Sequence, residues 1–81
     1  MRVKVLLFAG MREAAGEAEL ELELPEGATV EGLLTALEKE RPRLSRLLPL
    51  AKVAVNRRVA PKGTEIRPGN EVALIPPVGG G

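Results

Sequence analysis

Cysteine, histidine, aspartate, glutamine, tryptophan and tyrosine are all missing from this chain of 81 residues. Without cysteine there is no disulfide framework, no thiolate metal site and no cysteine nucleophile. Without histidine the commonest general base and the commonest metal ligand are gone. All eleven acidic residues are glutamate. An active site would have to be assembled from Glu, Lys, Arg, Ser and Thr, an inventory that argues against catalytic residues and against a metal site. Net charge is +1, so bulk electrostatics point to neither nucleic acid nor a membrane surface. Long apolar runs are lacking too. The opening Val3-Lys4-Val5-Leu6-Leu7-Phe8 is broken by Lys4 and followed at once by Met11-Arg12-Glu13, unlike a secretory leader. Nothing approaches a membrane span of roughly 20 apolar residues. The expectation is a mature cytoplasmic protein.

What is present suits one small globular domain: 44% hydrophobic and 28% charged residues, enough for a modest core. Val3 to Phe8 reads as a strand, with Val3, Val5 and Leu7 on one face and Lys4, Leu6 and Phe8 on the other. Gly10 to Ala15 reads as a short helical turn closed by Gly16. Residues 17–24 alternate strictly, with Ala18, Leu20, Leu22 and Leu24 opposite four glutamates. That is a half-buried strand with one wet face, and its glutamate row protects a sheet edge. Pro25-Glu26-Gly27 is a turn. Thr29 caps a helix whose Val30, Leu33, Leu34 and Leu37 form one apolar stripe. Pro42 stops that helix. Leu44, Leu47 and Leu48 suggest a further helical turn before Pro49. Lys52 to Asn56 is a strand with Val53 and Val55 inward, Asn56-Arg57-Arg58 a turn, and Val59-Ala60 a brief strand. Arg67-Pro68-Gly69-Asn70 is a strong turn signal, and Glu71 to Ile75 is the last strand.

One long helix must then cover one face of a small mixed sheet, an α+β layering. A hairpin, a helical crossover and a returning strand make the β-grasp plan, with the first and last strands parallel at the centre of about five. The face away from the helix would present Leu6, Phe8, Ala54, Ala73 and Ile75. Such an apolar face either marks a contact surface or is covered by the 57–70 segment. Arg41, Arg43 and Arg46, like Arg57 and Arg58, lack the interleaved aromatics of single-strand binders and read as solvated. Arg12 lies near the exit of the last strand and could meet an acidic partner.

Residues 1–75 form the body; Pro76, Pro77, Val78, Gly79, Gly80 and Gly81 form a tail. Two prolines end the strand and favour an extended exit. Three glycines follow, with no side chains. Six extended residues span about 20 Å, enough to carry a terminal carboxylate into a narrow site on another protein. The alternative is a loose terminus of small residues.

Val5-Leu6-Leu7-Phe8-Ala9-x-x-Arg12-Glu13-x-x-Gly16 resembles the small, sulfur-carrying subunits of molybdopterin synthase. So do Ala54-Val55-Asn56 and Gly69-Asn70-Glu71-Val72-Ala73-Leu74-Ile75-Pro76-Pro77-Val78 before a terminal Gly80-Gly81. The resemblance covers essentially the whole chain. It implies the ubiquitin-like β-grasp fold and a carrier rather than a catalyst. It implies that Gly81 is adenylated with ATP, consumed by an adenylyltransferase resembling ubiquitin-activating enzymes, and converted to a thiocarboxylate. No cofactor is bound permanently. It further implies docking on the large synthase subunit, in a heterotetramer, with the tail threaded into that subunit's site and sulfur passed to cyclic pyranopterin monophosphate. Phe8, Arg12, Val59 and Ile75 match the family's partner-facing positions. The last two are commonly larger or aromatic in the family, which thins that contact here. Gly79 replaces a small side chain, which raises the entropy lost on docking. The same terminus could instead serve thiamine synthesis, tRNA thiolation or protein tagging, and a plain β-grasp binding module would not use it.

Overall fold

The computed structural model describes residues 1–76. Pro77, Val78, Gly79, Gly80 and Gly81, nearly all of the expected tail, lie outside the described residues.

Strand β1 (Arg2–Leu7) leads into a short helix α1 (Ala9–Ala15), then β2 (Glu19–Glu23), the main helix α2 (Val30–Glu40), and β3 (Lys52–Val55), β4 (Arg58–Val59) and β5 (Val72–Ile75). The five strands form one sheet in the order β2-β1-β5-β3-β4, with β1 and β5 parallel and the other pairs antiparallel. This is the mixed β-grasp sheet expected from the chain order, with the two most apolar strands inside. The alternating β2 lies at an edge, its glutamates outward and Leu20 and Leu22 buried.

Local chemistry sets the boundaries. Gly16 ends α1 at φ +80°, a left-handed conformation that costs glycine nothing, and its N–H donates to the Arg12 carbonyl at 2.8 Å. The Thr29 hydroxyl accepts from the Gly32 N–H at 3.3 Å, capping α2. Val30, Leu33 and Leu37 are buried beneath that helix against Val3, Val5, Leu7, Val72 and Leu74 of the sheet. Leu34, expected in the same stripe, is half-buried at its border. At roughly 1.5–3 kcal/mol per buried side chain this layer is the main source of stability.

Two stretches differ from the expectation. The helical turn placed before Pro49 is two 3-10 turns, Pro42–Leu44 and Leu48–Leu50, and the second runs through Pro49. A proline in a first turn loses no hydrogen bond, because that N–H has no partner within the turn. The 57–70 segment covers the open face only in part: it adds Val59 to that face through β4 and brings Gly69 and Asn70 beside Leu6. After the Asn56-Arg57 hairpin, where both residues take positive φ as a two-residue loop requires, the chain crosses to the start of α2. There Lys62 and Thr64 carbonyls accept from Glu31 and Val30 N–H groups at 3.0 and 2.9 Å, and the Ile66 N–H donates to Ala28 at 2.8 Å. Helix N–H groups that have no partner within α2 are thereby satisfied, and Ile66 is fully buried in the core.

Candidate functional site

Parallel pairing of β1 with β5 brings the ends of both strands to one end of the sheet. Leu7 pairs with Leu74, and Lys52, the first residue of β3, pairs with Ile75. The chain therefore leaves the sheet at Ile75–Pro76 flanked by the end of β1 on one side and the beginning of β3 on the other. Both Ile75 and Pro76 are half-buried.

Away from α2, register aligns Leu6, Ala73, Ala54 and Val59 in one row across β1, β5, β3 and β4. Ile75 lies two residues beyond Ala73 on the same face. Leu6, Ala73 and Ile75 are half-buried, and Val59 is 61% exposed. Ala54, expected as part of an open face, is buried instead.

Phe8 differs in position from the expectation. It lies past the end of β1 as the residue before α1, and its carbonyl accepts from the Met11 and Arg12 N–H groups at 3.0 and 3.4 Å. Met11 is fully buried and anchors α1. Phe8 is left 47% exposed at the tail end of the sheet rather than within strand β1. Between them Ala9 has φ +48°, a left-handed conformation that costs a residue with a Cβ roughly 1–2 kcal/mol. Arg12 is exposed on α1. The structure thus places Phe8, Arg12 and Ile75 around the point where the chain exits, and Val59 at the far side of the same face.

Leu50 was not expected in this group. It is 61% exposed, two residues before Lys52 and so beside the exit. The pattern Leu44, Leu47, Leu48 ends before Pro49, and no period marks Leu50 beyond it. Beneath this end, the Arg41 Nε donates to Glu17 Oε2 at 2.7 Å, joining the end of α2 to the entrance of β2. That hydrogen bond, reinforced by the glutamate charge, raises the guanidinium pKa above its already high ordinary value.

Among the described residues no three carboxylates gather as a metal site, and no side-chain nitrogen or oxygen is buried without a partner. What this end can do is release the chain from the sheet at Ile75–Pro76 beside an apolar surface.

The profile of the ThiS family matches residues 5–81. Over its whole length the chain is 41% identical to the molybdopterin synthase sulfur carrier subunit of Chlamydomonas reinhardtii, covering all of that protein. It is 39% identical to the subunit of the same name from Mycobacterium tuberculosis, over 100% of this chain and 99% of that one. Among solved structures it resembles small archaeal modifier protein 1 of H. volcanii, with a TM-score of 0.86 at 32% identity over 95% of this chain and 98% of that one.

Proposed function

The chain belongs to the ThiS family, and from that membership we propose that it is a sulfur carrier, the small subunit of molybdopterin synthase. The observation that carries the proposal is the full-length likeness to molybdopterin synthase sulfur carrier subunits. The strand that precedes the Gly-rich terminus lies at the centre of the sheet, beside β1. In this reading the body does no chemistry. It presents Gly81.

A carboxylate at neutral pH is ionised and a poor electrophile. Activation resolves this. The Gly81 carboxylate oxygen attacks the α-phosphorus of ATP on an adenylyltransferase, and pyrophosphate leaves. Hydrosulfide-level sulfur from a donor then attacks the acyl carbon, the bond to AMP breaks, and loss of the sulfur's proton gives the thiocarboxylate. The tail of residues 76–81 threads into the large synthase subunit, where the sulfur is passed to cyclic pyranopterin monophosphate. Glycines at the end suit a slot that a Cβ would obstruct. Phe8, Arg12, Val59 and Ile75 are assigned to the docking surface.

Intact-mass measurement after incubation with ATP, the adenylyltransferase and a sulfur donor tests this. A gain equal to one oxygen-for-sulfur exchange at Gly81 is expected, and an unchanged mass would contradict it. A second reading, acylation of protein lysines by the same activated terminus, is favoured by the likeness to small archaeal modifier protein 1. It predicts conjugates that survive thiol reductants.

A further inference from the structure

Asn56 stands at the turn between β3 and β4, and its side chain completes a rung of the neighbouring ladder. Paired residues of an antiparallel ladder exchange two N–H···O=C bonds at every second step. The ladder between β3 and β5 ends in the pair Val55–Val72, and Asn56 meets Glu71 one step further on. The Asn56 N–H donates to the Glu71 carbonyl at 2.7 Å. At Asn56 φ is +52°, so the backbone has already turned away from the strand direction. The reciprocal bond is made by the side chain, whose Oδ1 accepts from the Glu71 N–H at 2.8 Å. Arg57 Nε lies 3.6 Å from the Glu71 carboxylate. Glu71 is thus held at its N–H, its carbonyl and its side chain by the two residues of one turn. Asn70, the chain's other asparagine, shapes the approach: its Oδ1 accepts from the Arg67 N–H at 2.7 Å, and its N–H donates to the Arg67 carbonyl at 3.1 Å.

The turn by itself does not require asparagine. Glycine takes a positive φ at least as readily, and Asn56 and Glu71 are both exposed, where water can serve a backbone N–H. What asparagine adds is a tie between the hairpin and the central strand β5. The hairpin has few other bonds to hold it. Its second arm, β4, is two residues long and lies at the sheet edge, paired as Ala54–Val59 and Val55–Arg58. One further bond runs from the Ala60 N–H to the Val53 carbonyl at 2.8 Å. A hairpin arm this short is marginal in water. Yet β4 carries Val59, the outermost residue of the apolar row that runs from Leu6 through Ala73 and Ala54, and 61% exposed.

We propose that Asn56 is a positioning residue for docking: by tying the β3–β4 turn to β5 it holds Val59 in place on the open face before the partner arrives. The proposal rests on the sulfur-carrier reading, which assigns Val59 to the docking surface and identifies the partner as the large synthase subunit. A contact residue already held in its bound position loses less conformational freedom on association, and that saving appears as affinity.

The test is a double-mutant cycle on binding of the full chain to the purified large subunit, measured by calorimetry at a temperature where every variant is folded. Asn56→Gly keeps the turn and removes the acceptor, and is expected to weaken binding by about fivefold. Val59→Ala removes two methyl groups from the contact and should weaken it by about tenfold. In the Val59→Ala background, Asn56→Gly should cost less than about twofold, because the methyl groups it positions are gone. Asn56→Asp keeps an acceptor oxygen and tolerates a positive φ, and should bind within about twofold of the wild type. An asparagine with a merely structural role would move the melting temperature alone, or weaken binding equally whatever stands at position 59. Undiminished binding by Asn56→Gly, the same loss in both backgrounds, or no recovery with Asn56→Asp would each overturn the proposal while leaving the carrier reading intact. Binding by Val59→Ala as tight as that of the wild type would overturn it too. Failure of the wild type to bind the large subunit at all would overturn the carrier reading and the proposal together.

Discussion

Along β1 and β5 alternate side chains point toward α2 and away from it, and the two sets have opposite fates. Val5, Leu7, Val72 and Leu74 are closed off under the helix, at no more than 1% exposure. Leu6, Ala73 and Ile75, from the same two strands, remain half-buried, with Phe8 and Val59 exposed around them. Apolar residues on the first face fold the domain. The second set adds little to folding, since much of its area stays in water. Apolar area kept together on an uncovered face, beside the point where the chain leaves the sheet, is better explained by a partner than by the fold.

The difference between what folds the protein and what it delivers can be probed by removing parts of each. The largest effect is expected from deleting Gly81. Thiocarboxylate formation should fall below detection, because the next carboxylate is one residue short of its site, while the melting temperature stays within about 1 °C, the buried core described running from Val3 to Leu74. Leu33→Ala, under α2, should cost about 3 kcal/mol in urea unfolding by lost burial and a residual cavity. Partner affinity of the folded fraction should be unchanged. Phe8→Ala should reverse that signature. Binding to the large subunit should weaken by about 2 kcal/mol, or roughly thirtyfold, as for an aromatic anchor, with stability altered by no more than about 0.5 kcal/mol. If Phe8→Ala instead lowers stability as Leu33→Ala does, the open face is part of the core and the contrast fails. The smallest effect is expected at Thr29. Thr29→Ala removes the hydroxyl that accepts the Gly32 N–H and should cost about 1 kcal/mol, with no change in sulfur loading.

Much of this was legible because the periodic elements are unambiguous. Four apolar residues in α2, strict alternation in β2 and two apolar runs at either end of the chain leave few arrangements open. The route of 57–70 was not legible. Ile66 is a lone apolar residue among turn formers and charges, so no period marks it. Its burial follows from its backbone hydrogen bond to Ala28 and from Val30 and Glu31 donating to the same segment, partners more than thirty residues away in sequence. Phe8 was expected inside a strand because it continues the β-rich run. The helix that begins with Ala9 and is anchored by Met11 wins instead, and this moves the aromatic ring to the tail end. The role of the terminus was suggested by its prolines and glycines and by resemblance, since the residues that matter have almost no side chains.

The central claim is that sulfur travels on the Gly81 carboxyl and that the body only delivers it. The most direct test is a single turnover with chain already loaded as the thiocarboxylate, mixed with the large subunit and cyclic pyranopterin monophosphate without ATP or adenylyltransferase. The account predicts one molybdopterin formed for every two chains returned to their unmodified mass. A loaded chain that binds the large subunit yet keeps its sulfur, with no molybdopterin formed, would contradict it.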